Sequence, residues 1–250
     1  MTVDGRARVE VRRSADRAVT TSPGLRSRHS FSFGAHYDPG DVGFGLLLAH
    51  NDHEVAPGSG YDEHRHRDVE IVTWVIEGRL GHSHAGGGDR VLGPGCVQRL
   101  HAGDGVVHAE VNAGNGPLRF VQVWLPSVRP EESPAYDLRC DLGPALAAGA
   151  PVVVASGLSR DVGGPGLRLA HPGAALHAVR PVGPVPLPSA PYLHVYVVCG
   201  RALLDEAGVL GEGDAARVTG GPALWVRPAG GPEGAEVLVW EMLRGAGAAR

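Results

Sequence analysis

The sequence contains no lysine: every one of its 23 basic residues is arginine. With 38 Gly, 20 Pro and abundant Ala, this reads as the codon bias of a GC-rich genome rather than a functional signal. The Gly clusters "AGGGD" and "VGGPG" lack the Lys-Ser/Thr and the strand-to-helix context of a phosphate loop, which excludes that mode of nucleotide binding. Cysteine is scarce. Cys96, Cys140 and Cys199 are odd in number, far apart and form no CxxC, so they read as reduced, small buried apolar groups. There is no 18-residue apolar run and no apolar core in "MTVDGRARVEVRRS", so neither a membrane span nor a signal peptide is expected, and the expected location is cytoplasmic. A formal net charge of −4 argues against a nucleic-acid binder, which would need a basic face. Aromatic residues make up only 5% of the chain and point to no extended stacking surface. No nucleophile elbow or Ser-His-Asp arrangement is visible.

What is present is β structure. Runs of four to eight β-prone residues recur between turn residues, as in "EIVTWVIEG", "RVLGPGCVQRL", "LRFVQVWLP", "LHVYVVCG" and "EVLVWEML". That pattern predicts an all-β sandwich or barrel. Helical periodicity is weak, with one short turn of helix expected in "GPALAAGA". The two halves echo each other: Gly78 aligns with Gly200, Gly95 with Gly213 and Trp124 with Trp240, at a nearly constant offset. We read an internal duplication. Residues 1–130 are assigned to a first barrel, 131–150, rich in Pro, charge and Ala, to a linker, and 151–250 to a second barrel.

Ten of the thirteen histidines lie in the first 108 residues, so imidazole chemistry belongs to the first barrel. Side chains two apart in a strand share a face, at roughly 7 Å between Cα atoms, so His64 and His66 can converge on one ion. His108 and Glu110 repeat the spacing 42 residues after His66. Three imidazoles and a carboxylate suit one divalent first-row metal: Fe(II), Mn(II), Ni(II), Cu(II) or Zn(II). An octahedral ion would keep two open positions. The counterparts of these residues in the second half fall near "VPLPSAP" and "LWVRPAG", where no ligand type survives, so the second barrel is expected to be metal-free. His82-Ser-His84 leads into "AGGGD" and is expected in solvent. His101 either lines the cavity or is exposed, and His29, His36, His50 and His53 are expected to be structural.

Residues 58–78 fit the first cupin motif, with Gly58, His64-x-His66, Glu70 and, one residue late, Gly78; Gly105, His108 and Asn112 fit the second. The stretches "SFSFGAHYDPGDVGF", "HRHRDVEIVTWVIEG" and "GPGCVQRLHAGDGVVHAE" further resemble the pirin family, from about Arg8 to Leu125. The resemblance implies two tandem cupin (jelly-roll) β-barrels, a bicupin, with a metal held by His64, His66, His108 and Glu110, Fe(II) first among the candidates. It also implies quercetin 2,3-dioxygenase-type activity, in which a flavonol-like aromatic substrate is cleaved with O₂. Glu110 would then act as ligand and base together. The alternative it implies is a non-catalytic, redox-sensing regulator that binds a metabolic enzyme or a transcription factor. Cupin architecture hosts other small-molecule chemistry as well. Two positions stand apart from the pattern. Arg65 replaces a common Pro between the histidines, where it would alter charge or access at the mouth. Glu70 occupies the carboxylate slot of the first motif, either as a ligand or as a residue that orients one or forms a surface pair.

Overall fold

β-Branched runs broken by Gly, Pro and Asn turns pair as antiparallel strands nearly throughout the computed structural model, which describes residues 7–84, 87–230 and 234–245. The α-helix Gly143–Ala147 is a single short turn, inside the segment where one was expected. The chain divides into two compact units. Each combines a seven-stranded sheet with a four-stranded one, the two-barrel architecture anticipated from the motifs.

The first barrel comprises Ala18–Gly43 and Leu47–Asp141. Its large sheet runs, in spatial order, Ala135–Arg139, Val97–His101, Val69–Glu77, Leu118–Pro126, Ala49–Val55, Leu25–His29 and Ala18–Ser22. Its small sheet runs Gly60–His66, Val106–Asn112, Leu80–His84 and Arg90–Leu92. The second barrel repeats this plan. Its large sheet is Arg8–Arg12, Ala215–Thr219, Tyr192–Cys199, Glu236–Met242, Ala174–Val179, Val152–Ser156 and Leu167–Arg168. Its small sheet is Val185–Pro186, Trp225–Pro228, Arg201–Leu204 and Gly208–Gly211.

The repeat extends to single hydrogen bonds. Gly95 N–H donates to Val75 O, and Gly213 N–H to Val197 O. The glycines that follow Val69–Glu77 and Tyr192–Cys199, the third strands of the two large sheets, both hold positive φ, +80° at Gly78 and +71° at Gly200. A Cβ at Gly78 would lie 2.3 Å from Pro117 O. Gly78→Ala should therefore destabilise the fold by at least about 1–3 kcal/mol, the range for a strained left-handed residue, read as a lower urea midpoint with an unchanged slope.

The tryptophan alignment is corrected by one residue. Trp124 pairs with Ile71, whose counterpart by the glycine offset is Leu193, and Leu193 pairs with Glu241 rather than Trp240. A slip of one residue in a strand moves a side chain to the other face, so the two tryptophans are not equivalent.

The domain boundaries are corrected too. Within the assigned linker, Ala135–Arg139 is a strand of the first barrel, antiparallel to Val97–His101. Near the N-terminus, Arg8–Arg12 pairs with Ala215–Thr219 of the second barrel. Each covers a sheet edge whose N–H and C=O groups would otherwise lack partners, and such pairing cannot be read from local composition. The pairing also explains a disulfide between Cys96 and Cys140. Arg139 sits opposite Val97, which places the two cysteines next to each other one step further along the ladder. The reading of all three cysteines as reduced is thus wrong for this pair.

Candidate metal centre

The site grows from strand register. Val106–Asn112 is flanked by Gly60–His66 and Leu80–His84, with His108 opposite His64 on one side and His84 on the other. Glu110 lies opposite Tyr61 and His82, after a register shift between His108 and Glu110. Alternation then turns His64, His66, His108 and Glu110 inward and Arg65 outward. Arg65 is exposed and covers Gly105 on the outer face, where a Cβ would meet its guanidinium at 2.6 Å. It does not line the cavity beside the histidines.

The imidazole ring centres are 4.8 Å (His64–His66), 4.4 Å (His64–His108) and 5.0 Å (His66–His108) apart. One nitrogen from each of the three lies within 4.8 Å of the others, close enough to share a cation. A second group, His82, His108 and Glu110, meets the same limit and is wholly buried. The four expected ligands therefore do not fall into one group: together with His82 they form two overlapping triads that share His108, with Glu110 beside His82. Glu110 still opens onto the same cavity as His64 and His66, a space of about 200 Å³ walled by Phe33, Trp124, Tyr61, His53, Asn51 and Gln122.

These residues fit a metal on their own evidence. His108 is 1% exposed, yet neither ring nitrogen has a hydrogen-bond partner within the protein. An orphaned buried imidazole is costly unless something else engages it. The backbone carbonyl of Asp62 accepts from His64 Nδ1 at 2.7 Å, which fixes the tautomer and leaves Nε2 with its lone pair free.

Protonation favours binding as well. Burial lowers the His108 pKa to about 3, and burial with the nearby His64 lowers that of His66 to about 4, so both are neutral at pH 7. For Glu110, burial raises the value, but the His82 and His108 rings and the Gln122 amide outweigh it and hold the carboxyl well below its ordinary range. For a His lowered on folding, the unfolded chain takes up the proton first. Its contribution to stability is complete above the unfolded value near 6.5 and drains as the pH falls toward the folded one. Metal-free protein should therefore lose up to about 1.4 kcal/mol per pH unit below 6 from His108 alone. Urea unfolding at pH 7, 6 and 5 should show that slope, and His108→Gln should flatten it.

The other sequence-predicted residues fall elsewhere. Thr73 shares the inward face of Val69–Glu77, so Glu70, three positions away, points outward. It is fully buried there against Arg99 Nε at 2.6 Å, in neither ligand group. It is a buried ion pair, neither a ligand nor a surface pair. His101 is buried and shares a 3.2 Å hydrogen bond with Arg129 O. His29, His50 and His53 hydrogen-bond to Asn51, Ser30 and Ser27 respectively, as structural histidines do.

Sequence reasoning missed His82. Far from standing in solvent, it is 1% exposed, stacked on Tyr136 at 4.6 Å and 3.8 Å from Glu110 Oε1. It precedes the hairpin tip, and strand pairing, not sequence, turns it inward. Also missed was a polar row across the large sheet, in which Gln98, Thr73, Gln122 and Asn51 are successive cross-strand partners. The available signal was a glutamine in the middle of "CVQRL" and of "FVQVW", where alternation calls for an apolar residue. The corresponding row of the second barrel is Ala216, Val195 and Val239. There, too, the pairing of Glu110 with His82 becomes Val226 with Leu204.

Comparison with known proteins bears on the family and the fold. A match to the pirin family covers residues 10–125. A Mycobacterium tuberculosis protein, provisionally named a quercetin 2,3-dioxygenase, is 44% identical over 240 residues, spanning 94% of this chain and 96% of its own. The quercetin 2,3-dioxygenase of Escherichia coli K12 is 34% identical over 135 residues, 52% of this chain and 57% of that one. The structure of a bacterial pirin from Escherichia coli, in complex with nickel(II), aligns with a TM-score of 0.84 at 24% identity, covering 95% of this chain and all of that one; it attests the fold. Together with the duplicated barrels and the histidine cluster, these matches make the chain a member of the pirin family.

Proposed function

We propose that the protein is a metal-dependent dioxygenase of the quercetin 2,3-dioxygenase type, with His64, His66, His108 and Glu110 holding one divalent transition metal. Fe(II) stands first, with Ni, Mn, Cu and Zn as alternatives, because the donor set suits any of them. The observation that carries the reading is the orphaned, buried His108 at the junction of the two triads, beside a cavity with an aromatic wall. When bound, such an ion acts as a Lewis acid that acidifies a coordinated hydroxyl and brings O₂ to the substrate.

The chain's own residues do the rest. Phe33 and Trp124 meet edge to face at 5.4 Å and present ring surface to a planar aromatic substrate. Asn51 and Tyr61 line the same cavity and offer hydrogen bonds to hydroxyl groups on that substrate. His66 and His108 are neutral at pH 7, so no proton has to leave before they bind. Glu110 serves as ligand, but its second role as base is poorly supported. A carboxylate held below its ordinary range is a weak proton acceptor at neutral pH.

The net reaction consumes one O₂ per flavonol, inserts both oxygen atoms and releases CO. Oxygen uptake matched by CO release, with quercetin and Fe(II)-loaded protein, is the expected result. Fully metallated protein that does neither with Fe, Ni, Mn or Cu would falsify the enzymatic reading.

A further inference from the structure

We propose that Gln98 and Gln122 are positioning residues for Glu110, an amide clamp held in place from outside by Tyr136 and Trp124. The proposal rests on the metal-centre reading above and names the residues that aim its carboxylate. Gln98 Nε2 donates to Glu110 Oε1 at 2.8 Å, and Gln122 Nε2 donates to Oε2 at 2.7 Å. All three side chains are buried. One donor on each oxygen fixes both the rotation of the carboxylate plane and the lone pairs that stay free.

An ionised carboxylate only accepts, so Glu110 takes the N–H end of each amide, and a donor beyond each amide holds its carbonyl end. Trp124 Nε1–H donates to Gln122 Oε1 at 3.1 Å, and an indole N–H can only donate. Gln122 must therefore give its carbonyl to Trp124 and its amino group to Glu110. Tyr136 O–H donates to Gln98 Oε1 at 2.9 Å and holds the same orientation on the other side. Thr73 Oγ1 accepts from both amides, at 3.3 and 3.4 Å, and ties the two halves together. Thr73, Gln98 and Gln122 are direct cross-strand partners, so the large sheet holds the clamp in register.

The choice of glutamine has a chemical reason. Arg or Lys at these positions would orient Glu110 equally well but would neutralise it, removing the charge that attracts a divalent cation. A neutral amide aims the carboxylate and leaves its charge in place. Trp124 also connects the clamp to the cavity, because its ring lies 4.9 Å from His66 and forms part of the wall.

The test is Co(II) affinity by competition with a chelator, together with the Co(II) d–d spectrum. The proteins are the wild type and the variants Gln98→Met, Gln122→Met, Tyr136→Phe and Trp124→Phe. Loss of an amide donor should weaken Co(II) binding by about 10–100-fold, the usual range for residues that orient ligands. Tyr136→Phe and Trp124→Phe each delete one donor that touches neither Glu110 nor the ion. Each should weaken binding by roughly 3–10-fold, the effect of one hydrogen bond, and shift the spectrum. Tyr136→Phe keeps its ring, whereas Trp124→Phe also trims the indole beside His66, so Tyr136→Phe decides the matter if a Met variant does not fold. Wild-type affinity and spectrum in folded Tyr136→Phe and Trp124→Phe would overturn the clamp while leaving the metal centre standing. Wild-type protein that takes up no Co(II) would overturn both.

Discussion

His108→Ala should reduce bound metal from about one equivalent to nearly none, without unfolding the protein. His108 belongs to both triads, so its removal leaves, among the described residues, no group of three donors within reach of one another. A complete four-ligand structural site is worth about 10–16 kcal/mol. Losing one donor in four then costs on the order of 10²–10³ in affinity. The stability arm separates a ligand from a packing residue. In the metal-free state the imidazole is buried with both nitrogens unsatisfied, a net cost to the fold. His108→Leu, which fills the space without polar atoms, should therefore leave metal-free protein as stable as the wild type or more so, while it too binds no metal. Thermal melts with excess chelator measure the first effect, and elemental analysis the second. A Leu variant several kcal/mol less stable than metal-free wild type would mark His108 as structural.

Arg99→Leu should have the largest effect on stability. Glu70 is completely buried, and Arg99 supplies its charge partner at 2.6 Å while also reaching Asp137 Oδ2 at 3.0 Å. Removing one member of a buried pair strands the other, at a typical cost of about 3–5 kcal/mol. The double variant Arg99→Leu with Glu70→Leu should recover much of that loss, because no uncompensated charge remains. Since Glu70 points away from the cavity, neither change should alter metal stoichiometry in protein that still folds. Urea unfolding of the four corners of this cycle gives the coupling directly. A coupling below about 1 kcal/mol, the level of an exposed pair, would contradict the burial seen here.

The motifs with local signatures were legible in the sequence, and those made by pairing were not. His64, His66, His108 and Glu110 could be picked out because a spacing of two puts side chains on one face whatever lies across from them. The duplication was visible through Gly78, Gly95, Gly200 and Gly213, since turns constrain residue type more sharply than strands do. Its tryptophan anchor was off by one because Val, Leu and Trp fit either face of a buried strand. Glu70 matched a motif position, yet its parity relative to Thr73 takes it out of the site. His82, Gln98, Gln122 and Tyr136 come together only across strands from separate parts of the chain. The Cys96–Cys140 disulfide is equally non-local, since it follows from a strand formed in the supposed linker.

The central claim is that one divalent transition ion sits among His64, His66, His108 and Glu110. Anomalous diffraction from crystals of Fe(II)- or Co(II)-loaded protein, collected at the metal edge, tests it most directly. A single strong peak is expected within about 2.0–2.2 Å of one nitrogen from each of the three histidines and of a Glu110 oxygen, distances typical of such donors. Fully loaded crystals with no peak in this cluster, or with the peak on residues elsewhere in the chain, would contradict it.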